Sequence, residues 1–598
     1  MVFVDGTQRD FLGVSNSLRG LRWVERLDGV TRNTATAIAQ TTGIPELVAR
    51  VIAARGISQE EAERFLDPKL RDLMPDPSVL TGMEAAAARL AAAVTRRERI
   101  AIFGDYDVDG GSSAAMLKRF FAGAGCECEI YIPDCIFEGY GPNVQAMREL
   151  ADRGNSLIIT ADCGATSFEA LEEAARLGRD VVVLDHHQMG VEMPVAHALV
   201  NPNRQDDLSG LGHLCAAGVV FMTLVAVQRE LRKKGVAGGV DLMSLLDLVA
   251  LATVCDVVPL KGLNRAFVVS GLKVMRSQAN VGLTALARAA RLDGPVQPYH
   301  LGFLLGPRIN AGGRIGDAAL GARLLSTSDE YEANEIAEQL EKLNAERQAV
   351  EAVMLEEAFA EADAELAGAQ KPAVLITERQ GWHPGVVGLL ASRMKDRYRL
   401  PSIAIAFDGN GKGTGSGRSI AGVDLGKAVR AAVSEGVVEK GGGHAMAAGI
   451  TVRRERLGDL RAFMEERLRD AVVKANEAQV LKLDGALSAR GASLELHGLL
   501  EKAGPYGAGH PQPMFALPNH LIVSSSPVGR DHVSATLKGS DGATLRAIGF
   551  RIADEELGRA LIQGQGRRFH IAGNLDVNVW QGQRRMQLRI SDAAPAEA

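Results

Sequence analysis

The 598-residue sequence has few cysteines and no long apolar run, which argues against a secreted disulfide-stabilised protein and against a membrane protein. Its six cysteines are scattered without a C-x-x-C pair, which is typical of reduced core thiols in a cytoplasmic protein. No segment is apolar for long enough to span a bilayer. The first ten residues lack the basic and apolar regions of a signal peptide. We therefore expect a cytoplasmic protein without a membrane partner.

The sequence also lacks a strong excess of charge of either sign. Its 67 basic and 73 acidic side chains give a formal net charge of −6. Bulk charge therefore does not indicate a nucleic-acid partner, and binding to a nucleic acid would need local basic surfaces. With 46% hydrophobic and 23% charged residues the composition is that of an ordinary globular protein, and the length predicts several domains.

The common phosphate-binding signatures of nucleotide enzymes are missing as well. The glycine-rich stretch 411–419 does not fit a P-loop, because Lys412 is followed by glycine and alanine occupies position 406. It does not fit a dinucleotide fingerprint either, because Ser416 stands where the last glycine belongs.

Alternating helix and strand patterns dominate the chain between residues 83 and 275, and they predict βαβ units with a parallel sheet. Residues 300–317 are predicted to be loop-rich. A polar–apolar period of 3.6 residues from 329 to 366 predicts a long helix that joins two domains. A second α/β region begins at about Pro372, and short alternating runs after residue 480 predict a small antiparallel barrel.

The predicted domain boundaries follow these changes of pattern. They are an extension that packs on the following domain (1–80), a first α/β domain (81–325), the connecting helix (326–367), a second α/β domain (368–478), the barrel (479–592) and a disordered tail (593–598). In the barrel, Trp580 with Arg584 and Arg585 would give one face an aromatic ring and cations. The alternative is that Trp580 belongs to the core.

Acidic residues follow four apolar runs of the first α/β domain. The run Val181–Leu184 ends in Asp185, His186 and His187, as expected for a buried parallel strand that delivers side chains at its carboxyl end. We expect the other three runs to be strands that end in the same way. They are Ile102–Gly104 before Asp105, Asp107 and Asp109, Leu157–Ala161 before Asp162, and Leu248–Cys255 before Asp256. If the chain stays extended past its strand, Asp107 and Asp109 lie on the same side, and the next helix runs from Ala114.

Carboxylates and imidazoles that converge at one edge of a sheet form a site for hard divalent cations. So many acids would repel one another unless a cation neutralised them. Oxygen ligands favour Mg²⁺ or Mn²⁺, the imidazoles tilt the choice towards Mn²⁺, and zinc is disfavoured because its sites use few carboxylates. Clusters of this kind often hold two ions ~3.5–4 Å apart, which activate water for phosphoryl displacement.

The motifs around these acids resemble those of the DHH phosphoesterase superfamily. They are Asp105–Gly110, Asp162–Gly164, Asp185–His187 and Asp256–Pro259. Further stretches resemble the RecJ family of single-strand-specific DNA exonucleases, and the likeness runs in the family's order from about residue 80 to the last predicted strand. These stretches are Gly306–Arg314, Gly381–Val386, Ser416–Ser419, Gly442–Gly449 and Pro505–Phe515. Two positions depart from the family pattern: Cys135, where a basic residue is expected, and His510, where asparagine is usual.

The resemblance implies a fold and a set of site residues. The fold is an α/β one: a parallel-sheet DHH catalytic domain and a DHH-associated domain face each other across a cleft, a long helix joins them, and an OB-like barrel follows. The implied metal ligands are Asp107, Asp109, Asp162, His186 and Asp256. His187 would lie near the scissile phosphate, with Asp185 orienting a ligand and Asp105 as a further catalytic acid. The implied phosphate contacts are Arg308, Arg314, Ser416, Arg418 and His444.

The implied function is a 5′→3′ exonuclease that uses Mn²⁺ or Mg²⁺, degrades single-stranded DNA to mononucleotides and serves DNA repair and recombination. One alternative is a DHH phosphodiesterase of short oligoribonucleotides or cyclic dinucleotides, which would not need the barrel. The other is a non-catalytic replication scaffold, which could lose metal ligands that are all present here. Expected partners are single-stranded DNA, with a single-strand-binding protein and a helicase as candidates, and we expect a monomer.

Overall fold

The structure, a computed structural model, describes residues 9–134, 141–236, 238–368, 371–477, 479–580 and 582–596, without the side chains of Glu477 and Trp580. The chain divides into two compact units, Leu73–Glu477 and the combination of Met1–Asp72 with Ala478–Ala598. The predictions for Cys135 and for the Trp580 ring lie outside the described residues and side chains. None of the described helices combines the length and apolar character that crossing a bilayer requires.

Within the described residues 9–73, the N-terminal segment contains one strand and four helices. After a short 3₁₀ turn at Phe11–Gly13 these are β1 (Arg22–Glu25), α1 (Gly29–Thr42), α2 (Glu46–Ala53), α3 (Ala62–Leu66) and α4 (Leu70–Leu73). Asp28 begins α1 as its N-cap, because its side chain accepts a hydrogen bond from the backbone N–H of Thr31.

The first α/β domain is built on a parallel five-stranded sheet. Its strands are β2 (Ile100–Gly104), β3 (Cys128–Tyr131), β4 (Leu157–Ala161), β5 (Asp180–Leu184) and β6 (Ala198–Val200), in the order β3-β2-β4-β5-β6. The helices are α5 (Met83–Arg96), α6 (Val108–Gly123), α7 (Val144–Asp152), α8 (Phe168–Arg176), α9 (Ala216–Lys233), α10 (Leu246–Cys255), α11 (Gly262–Met275), α12 (Val281–Ala289), α13 (Pro298–His300), α14 (Gly306–Ile315) and α15 (Leu320–Ser326). The predicted parallel sheet is confirmed, because all four strand pairings are parallel.

Two predictions for this domain were wrong. The apolar run Leu248–Cys255 lies in helix α10 instead of a strand, because a helix that is buried on most sides shows no polar face to reveal its period. Residues 298–315 are helical instead of loop-rich, with a π-helical turn at Leu301–Leu305 between α13 and α14. The glycines there serve close packing: a Cβ on Gly313 would come within 2.3 Å of the Tyr106 ring.

The predicted connecting helix is confirmed as α16 (Glu330–Leu366), and Asp329 caps it by accepting hydrogen bonds from the backbone N–H groups of Tyr331 and Glu332. The second α/β domain follows. It contains β7 (Leu375–Gln380), β8 (Ser402–Phe407), β9 (Lys412–Arg418), β10 (Lys440–His444) and β11 (Ala447–Arg453), with α17 (Val387–Tyr398), α18 (Leu425–Ser434) and α19 (Leu457–Glu477). The strand order is β10-β11-β9-β8-β7.

The glycine-rich stretch that contains Ser416 and Arg418 is the central strand β9 of this sheet. Its glycines alternate with larger residues and lie on the face that packs against apolar side chains. A Cβ on Gly417 would come within 2.7 Å of Leu425, and one on Gly415 within 2.7 Å of Ile450. The alternation therefore leaves Ser416 and Arg418 together on the opposite face.

The elements of the C-terminal region are β12 (Val480–Leu483), β13 (Gly485–Ala486), α20 (Leu494–Ala503), β14 (Phe515–Val528), β15 (His532–Lys538), β16 (Thr544–Gly549), α21 (Glu556–Gln563), β17 (Arg568–Trp580) and β18 (Gln583–Pro595). The predicted barrel is confirmed as a closed barrel of the five strands β14 to β18. The sheet runs β13-β14-β15-β16-β18-β17, and a further pairing of β14 with β17 closes it. The pairing of β16 with β18 is parallel, as in OB folds, so the barrel is not purely antiparallel.

Both chain ends differ from their predictions. Residues 1–72 form one unit with the barrel, whereas the sequence suggested that they pack on the first α/β domain. Strand β1 pairs with β12, and the buried Trp23 ring donates from Nε1 to Asp592 over 2.8 Å.

The predicted disordered tail also begins too early, because β18 continues to Pro595 with Ala593 and Ala594 buried.

Candidate metal centre and strand-binding residues

Three of the predicted acidic residues come directly after neighbouring parallel strands. Asp105 follows β2, Asp162 follows β4 and Asp185 follows β5. Because parallel strands end at the same edge, the three side chains meet there as expected. Asp162 has a left-handed backbone with φ +64°, a conformation that costs a non-glycine residue free energy and is often found at functional sites.

Asp107 and Asp109 lie at the same edge of the sheet, but the start of a helix places them there instead of the predicted extended chain. Helix α6 begins at Val108 instead of Ala114, and Asp107 is its N-cap, with Oδ1 accepting from the backbone N–H groups of Asp109 and Gly110. Asp109 lies in the first turn, almost fully buried. Its two oxygens accept hydrogen bonds from the N–H groups of Ala216 and Ala217 over 2.7 and 2.8 Å, at the N-terminus of α9.

Asp256 is delivered by the carboxyl end of a helix, since it is the C-cap of α10. The imidazole of His186 connects it to the strand-end acids. The Nε2 atom of His186 lies 3.3 Å from Asp162, 3.7 Å from Asp109 and 3.7 Å from Asp256. The Nδ1 N–H donates to the Leu214 carbonyl over 3.0 Å, which fixes the ring with Nε2 towards the three carboxylates.

His187 is held by Asp185. Its Nδ1 lies 2.8 Å from Asp185 Oδ1, which also accepts from the backbone N–H of His187. Burial alone would raise the pKa of Asp185, but the hydrogen bond from His187 lowers it to about 2. Burial alone would lower the pKa of His187, but Asp185 raises it to about 9. The pair is therefore a carboxylate with an imidazolium, and His187 remains partly exposed.

The remaining carboxylates repel one another. Burial and then the neighbouring carboxylates raise the pKa of Asp105 and of Asp162 well above the ordinary value. The same two causes raise the pKa of Asp256 to about 9. Burial also raises the pKa of Asp109, although the nearby His186 opposes the shift. Protein groups alone therefore leave this cluster electrostatically unfavourable.

The donor set fits divalent cations. Three groups of residues each bring their ligand atoms within 4.8 Å of one another: Asp162 with His186 and His187, Asp109 with His186 and Asp256, and Asp105 with Asp107 and Asp162. Within the described residues, the buried Oδ2 atom of Asp256 makes no hydrogen bond. Carboxylate oxygens with one or two imidazoles suit Mn²⁺ or Mg²⁺.

Two asparagines that the sequence motifs did not indicate support the histidines. Asn201, fully buried, donates to the His187 carbonyl over 2.9 Å, and Asn203 donates to the His186 carbonyl over 2.6 Å. They follow strand β6 in Asn201-Pro-Asn203. Two asparagines that follow the apolar run of β6 are the same kind of sequence signal as the acids that follow the other strands.

The predicted phosphate contacts Arg314, Ser416 and Arg418 lie close together. Arg418 donates from Nη1 to Ser416 Oγ over 2.9 Å. Burial lowers the pKa of Arg418, and the positive charge of Arg314 lowers it further. Arg314 itself donates to the Gly385 carbonyl of the second α/β domain over 2.9 Å. An anion such as phosphate, bound near both guanidinium groups, would neutralise their charges and relieve their repulsion.

Arg308 and His444 occupy two other places. Arg308 lies in α14, where it pairs with Glu341 and donates to the Leu304 carbonyl over 2.7 Å. His444 is exposed at the end of the edge strand β10. Ala447 of β11 pairs with His444 on one side and with Arg418 on the other, so the two residues lie at the same end of the sheet.

The other departure from the family pattern, His510, lies in the barrel unit. Its ring is buried, stacks on Tyr506 with 5.0 Å between centroids and lies 2.8 Å through Nε2 from the Ala503 carbonyl oxygen. These contacts assign His510 to the packing of the barrel unit.

Known protein families match three stretches of the chain. The matches cover residues 99–253 (DHH family, N-terminal domain), 371–470 (DHHA1 domain) and 483–592 (RecJ OB domain). The single-stranded-DNA-specific exonuclease RecJ of Dickeya dadantii is 35% identical over 92% of this chain and 96% of its own length. The chain belongs to the RecJ family.

Solved RecJ structures resemble most of the chain. RecJ from Thermus thermophilus in complex with Mn²⁺ matches with a TM-score of 0.76 and 29% identity, over 95% of this chain and 78% of that one. The same protein in complex with Mg²⁺ matches with a TM-score of 0.70 and 28% identity, over 95% and 77% of the two chains. The RecJ resemblance predicted from the motifs is therefore confirmed.

Proposed function

We propose that this RecJ-family protein is a metal-dependent exonuclease that degrades single-stranded DNA from its 5′ end and releases mononucleotides. The observation that carries the proposal is the convergence of Asp109, Asp162 and Asp256 on His186 Nε2 within 3.7 Å. Family membership supports the substrate, since the RecJ of Dickeya dadantii is a single-stranded-DNA-specific exonuclease. We also propose that the protein acts in DNA repair and recombination.

The ligand set that we propose consists of Asp107, Asp109, Asp162, His186 and Asp256, and the ions are Mn²⁺ or Mg²⁺. RecJ from Thermus thermophilus, whose structures contain these ions, supports this choice. We propose two ions, because three overlapping groups of ligand atoms exceed the needs of one. Bound ions would polarise the scissile phosphate and lower the pKa of the attacking water. Asp105 serves as a further catalytic acid beside this ligand set.

The protein's own residues position the substrate. Asp185 fixes the His187 ring through Nδ1, so that His187 can contact an oxygen of the scissile phosphate. Water attacks phosphorus, the P–O3′ bond breaks, and the shortened strand keeps a new 5′-phosphate. No covalent enzyme intermediate is needed. Arg314, Ser416 and Arg418 would hold the terminal phosphate, which sets the cut at a fixed distance from the end, while Arg308 and His444 contact other phosphates.

Two other functions fit the chain less well. A phosphodiesterase of dinucleotides would not need the closed barrel, which matches the RecJ OB domain over residues 483–592. A scaffold would not need to keep five ligand positions that also converge in space. We retain the expectations of a cytoplasmic monomer and of a single-strand-binding protein and a helicase as partners.

The proposal is tested by the products of end-labelled DNA. A 5′-labelled single strand should lose its label as a mononucleotide in the earliest time points with Mn²⁺, whereas a 3′ label should appear in mononucleotides last. Blunt duplex DNA should be resistant. Internal fragments at early times, or equal cleavage of the duplex, would contradict the proposal.

A further inference from the structure

Two aromatic side chains are stacked on each other and yet exposed to solvent. Tyr299 and Phe303 have ring centroids 5.0 Å apart and planes inclined by 21°. Their exposed fractions are 56% and 68%, which is high for rings of this size. Apolar ring faces left in water cost free energy, which a stacked partner would recover.

The pair lies on an unusual backbone. Phe303 belongs to the π-helical turn Leu301–Leu305, and such turns are rare and frequent at functional sites. The turn packs against the end of helix α10. Cys255 donates from Sγ to the Leu301 carbonyl over 3.3 Å, and a Cβ on Gly302 would lie 3.5 Å from Val254. Asp256, a proposed metal ligand, follows Cys255 in the chain, so the turn that carries Phe303 contacts the residue just before that ligand.

A cation is bonded to the same turn. Arg308, which pairs with Glu341, donates from Nη1 to the carbonyl of Leu304, the residue after Phe303. A nucleotide presents a phosphate and a base at neighbouring positions, so a guanidinium bonded to the turn that carries an exposed ring matches both parts. Base–aromatic stacking tolerates every base, which suits an exonuclease that must accept any sequence.

We propose that Tyr299 and Phe303 form a stacking platform for one base of the single strand, with Arg308 at the adjoining phosphate. The proposal rests on the proposed function and deepens it, since it assigns a base subsite to a surface that the metal and phosphate residues leave unexplained. The platform holds one nucleotide at a fixed distance from Asp256.

The test measures binding with the Asp107→Ala variant as the parent, so that the strand is not cut. Anisotropy of 3′-labelled, 5′-phosphorylated strands gives the dissociation constant for a normal strand and for strands with one abasic nucleotide at each successive position from the 5′ end. The parent should show one position at which loss of the base weakens binding about tenfold, or about 1.4 kcal/mol. In the double variant with Phe303→Ala, loss of the base at that position should no longer weaken binding. The effect of an abasic nucleotide at every other position should stay the same.

Two controls separate the possible outcomes. Tyr331→Ala removes another exposed ring of the same unit, 73% exposed on α16, and should leave the abasic profile unchanged. The melting temperature of the Phe303→Ala variant should equal that of the parent, because the ring is mostly exposed. An abasic profile that Phe303→Ala does not change, or a parent without a sensitive position, overturns the platform. Failure of the protein with Asp107 intact to degrade single strands overturns the proposed function instead.

Discussion

The Nε2 atom of His186 lies 3.3 Å from Oδ1 of Asp162, although the two residues follow different strands and are separated in the sequence by the whole of helix α8 and strand β5. The contact exists because β4 and β5 are parallel neighbours that end at one edge. It joins the acid that follows one strand to the imidazole that follows the next, and it is the centre of the proposed metal site.

Removing one carboxylate should disable the whole centre. Asp162→Ala and Asp256→Ala should each lower the turnover of single-stranded DNA by at least about a thousandfold, because the ions share ligands. Initial rates with saturating Mn²⁺ give the comparison, and circular dichroism shows whether the fold persists. Asp206→Ala, which removes an exposed surface acid, is the control and should keep its rate. Turnover like that of the unmodified protein in Asp256→Ala would refute the shared-ligand centre.

Arg418 should matter mainly for the terminal phosphate. Loss of its charge-assisted hydrogen bonds, worth ~1.5–3 kcal/mol, should lower kcat/KM for 5′-phosphorylated strands about ten- to a hundredfold in Arg418→Ala. Matched strands with a 5′-hydroxyl should lose much less. Ser416→Ala, which removes a neutral partner of Arg418, should have a smaller effect of the same kind. Equal losses on both strand types would mean that Arg418 holds the strand generally.

The sequence indicated which acids and histidines converge better than it indicated how the chain brings them together. Side chains at strand ends, such as Asp162 and Asp185, were predictable because parallel strands share an edge. The route of Asp256 was not, since an apolar run without a polar face is compatible with a buried helix or a buried strand. Asp109 was expected on an extended chain, but the N–H groups of α9 that hold it are distant in sequence.

The placement of the first 72 residues could not be read from local patterns either. Trp23 contacts Asp592 across 569 positions of sequence, and β1 pairs with β12, so only the folded barrel shows that these segments belong together.

The strand β9 was equally hard to predict, because glycines usually signal turns. Here they provide room for Leu425 and Ile450 on one face of the sheet.

The barrel should contribute affinity through exposed cations. Arg584 and Arg585 are exposed on β18, and each phosphate contact should contribute about 0.7 to the slope of log K against log salt for a single strand. The double variant Arg584→Ala with Arg585→Ala should therefore bind long strands more weakly and flatten that slope by up to about 1.4. Arg559→Ala, an exposed arginine on α21, is the matched control. An unchanged slope in the double variant would show that Arg584 and Arg585 do not contact the phosphates of the strand.

Stability should depend on pH through Asp247, which lies in the first turn of α10, at the opposite end of that helix from Asp256. Burial raises the pKa of its carboxyl group to about 6. The folded state therefore holds more protons than the unfolded state between pH ~4 and ~6, so stability falls as pH rises through this range and stays lower above it. Asp247→Asn should stabilise the unit Leu73–Glu477 by up to about 2–3 kcal/mol at pH 7 and by almost nothing at pH 4.

Thermal unfolding at several pH values measures this effect. The backbone N–H of Leu248, which now donates to Asp247 Oδ1 over 2.7 Å, can donate equally to an asparagine oxygen. Asp293→Asn, at an exposed position, should leave the pH profile unchanged. A stability gain of the same size at both pH values would show that burial of charge is not its cause.

The central claim is that the Asp–His cluster binds the ions that cut single-stranded DNA. The most direct measurement follows release of the 5′-terminal mononucleotide from a phosphorylated single strand after metal removal by EDTA and after return of Mn²⁺, for the unmodified protein and for Asp162→Ala. The account predicts no release without metal, full recovery with Mn²⁺ in the unmodified protein, and no recovery in Asp162→Ala. Release that persists in EDTA, or that Mn²⁺ restores equally in both proteins, would contradict it.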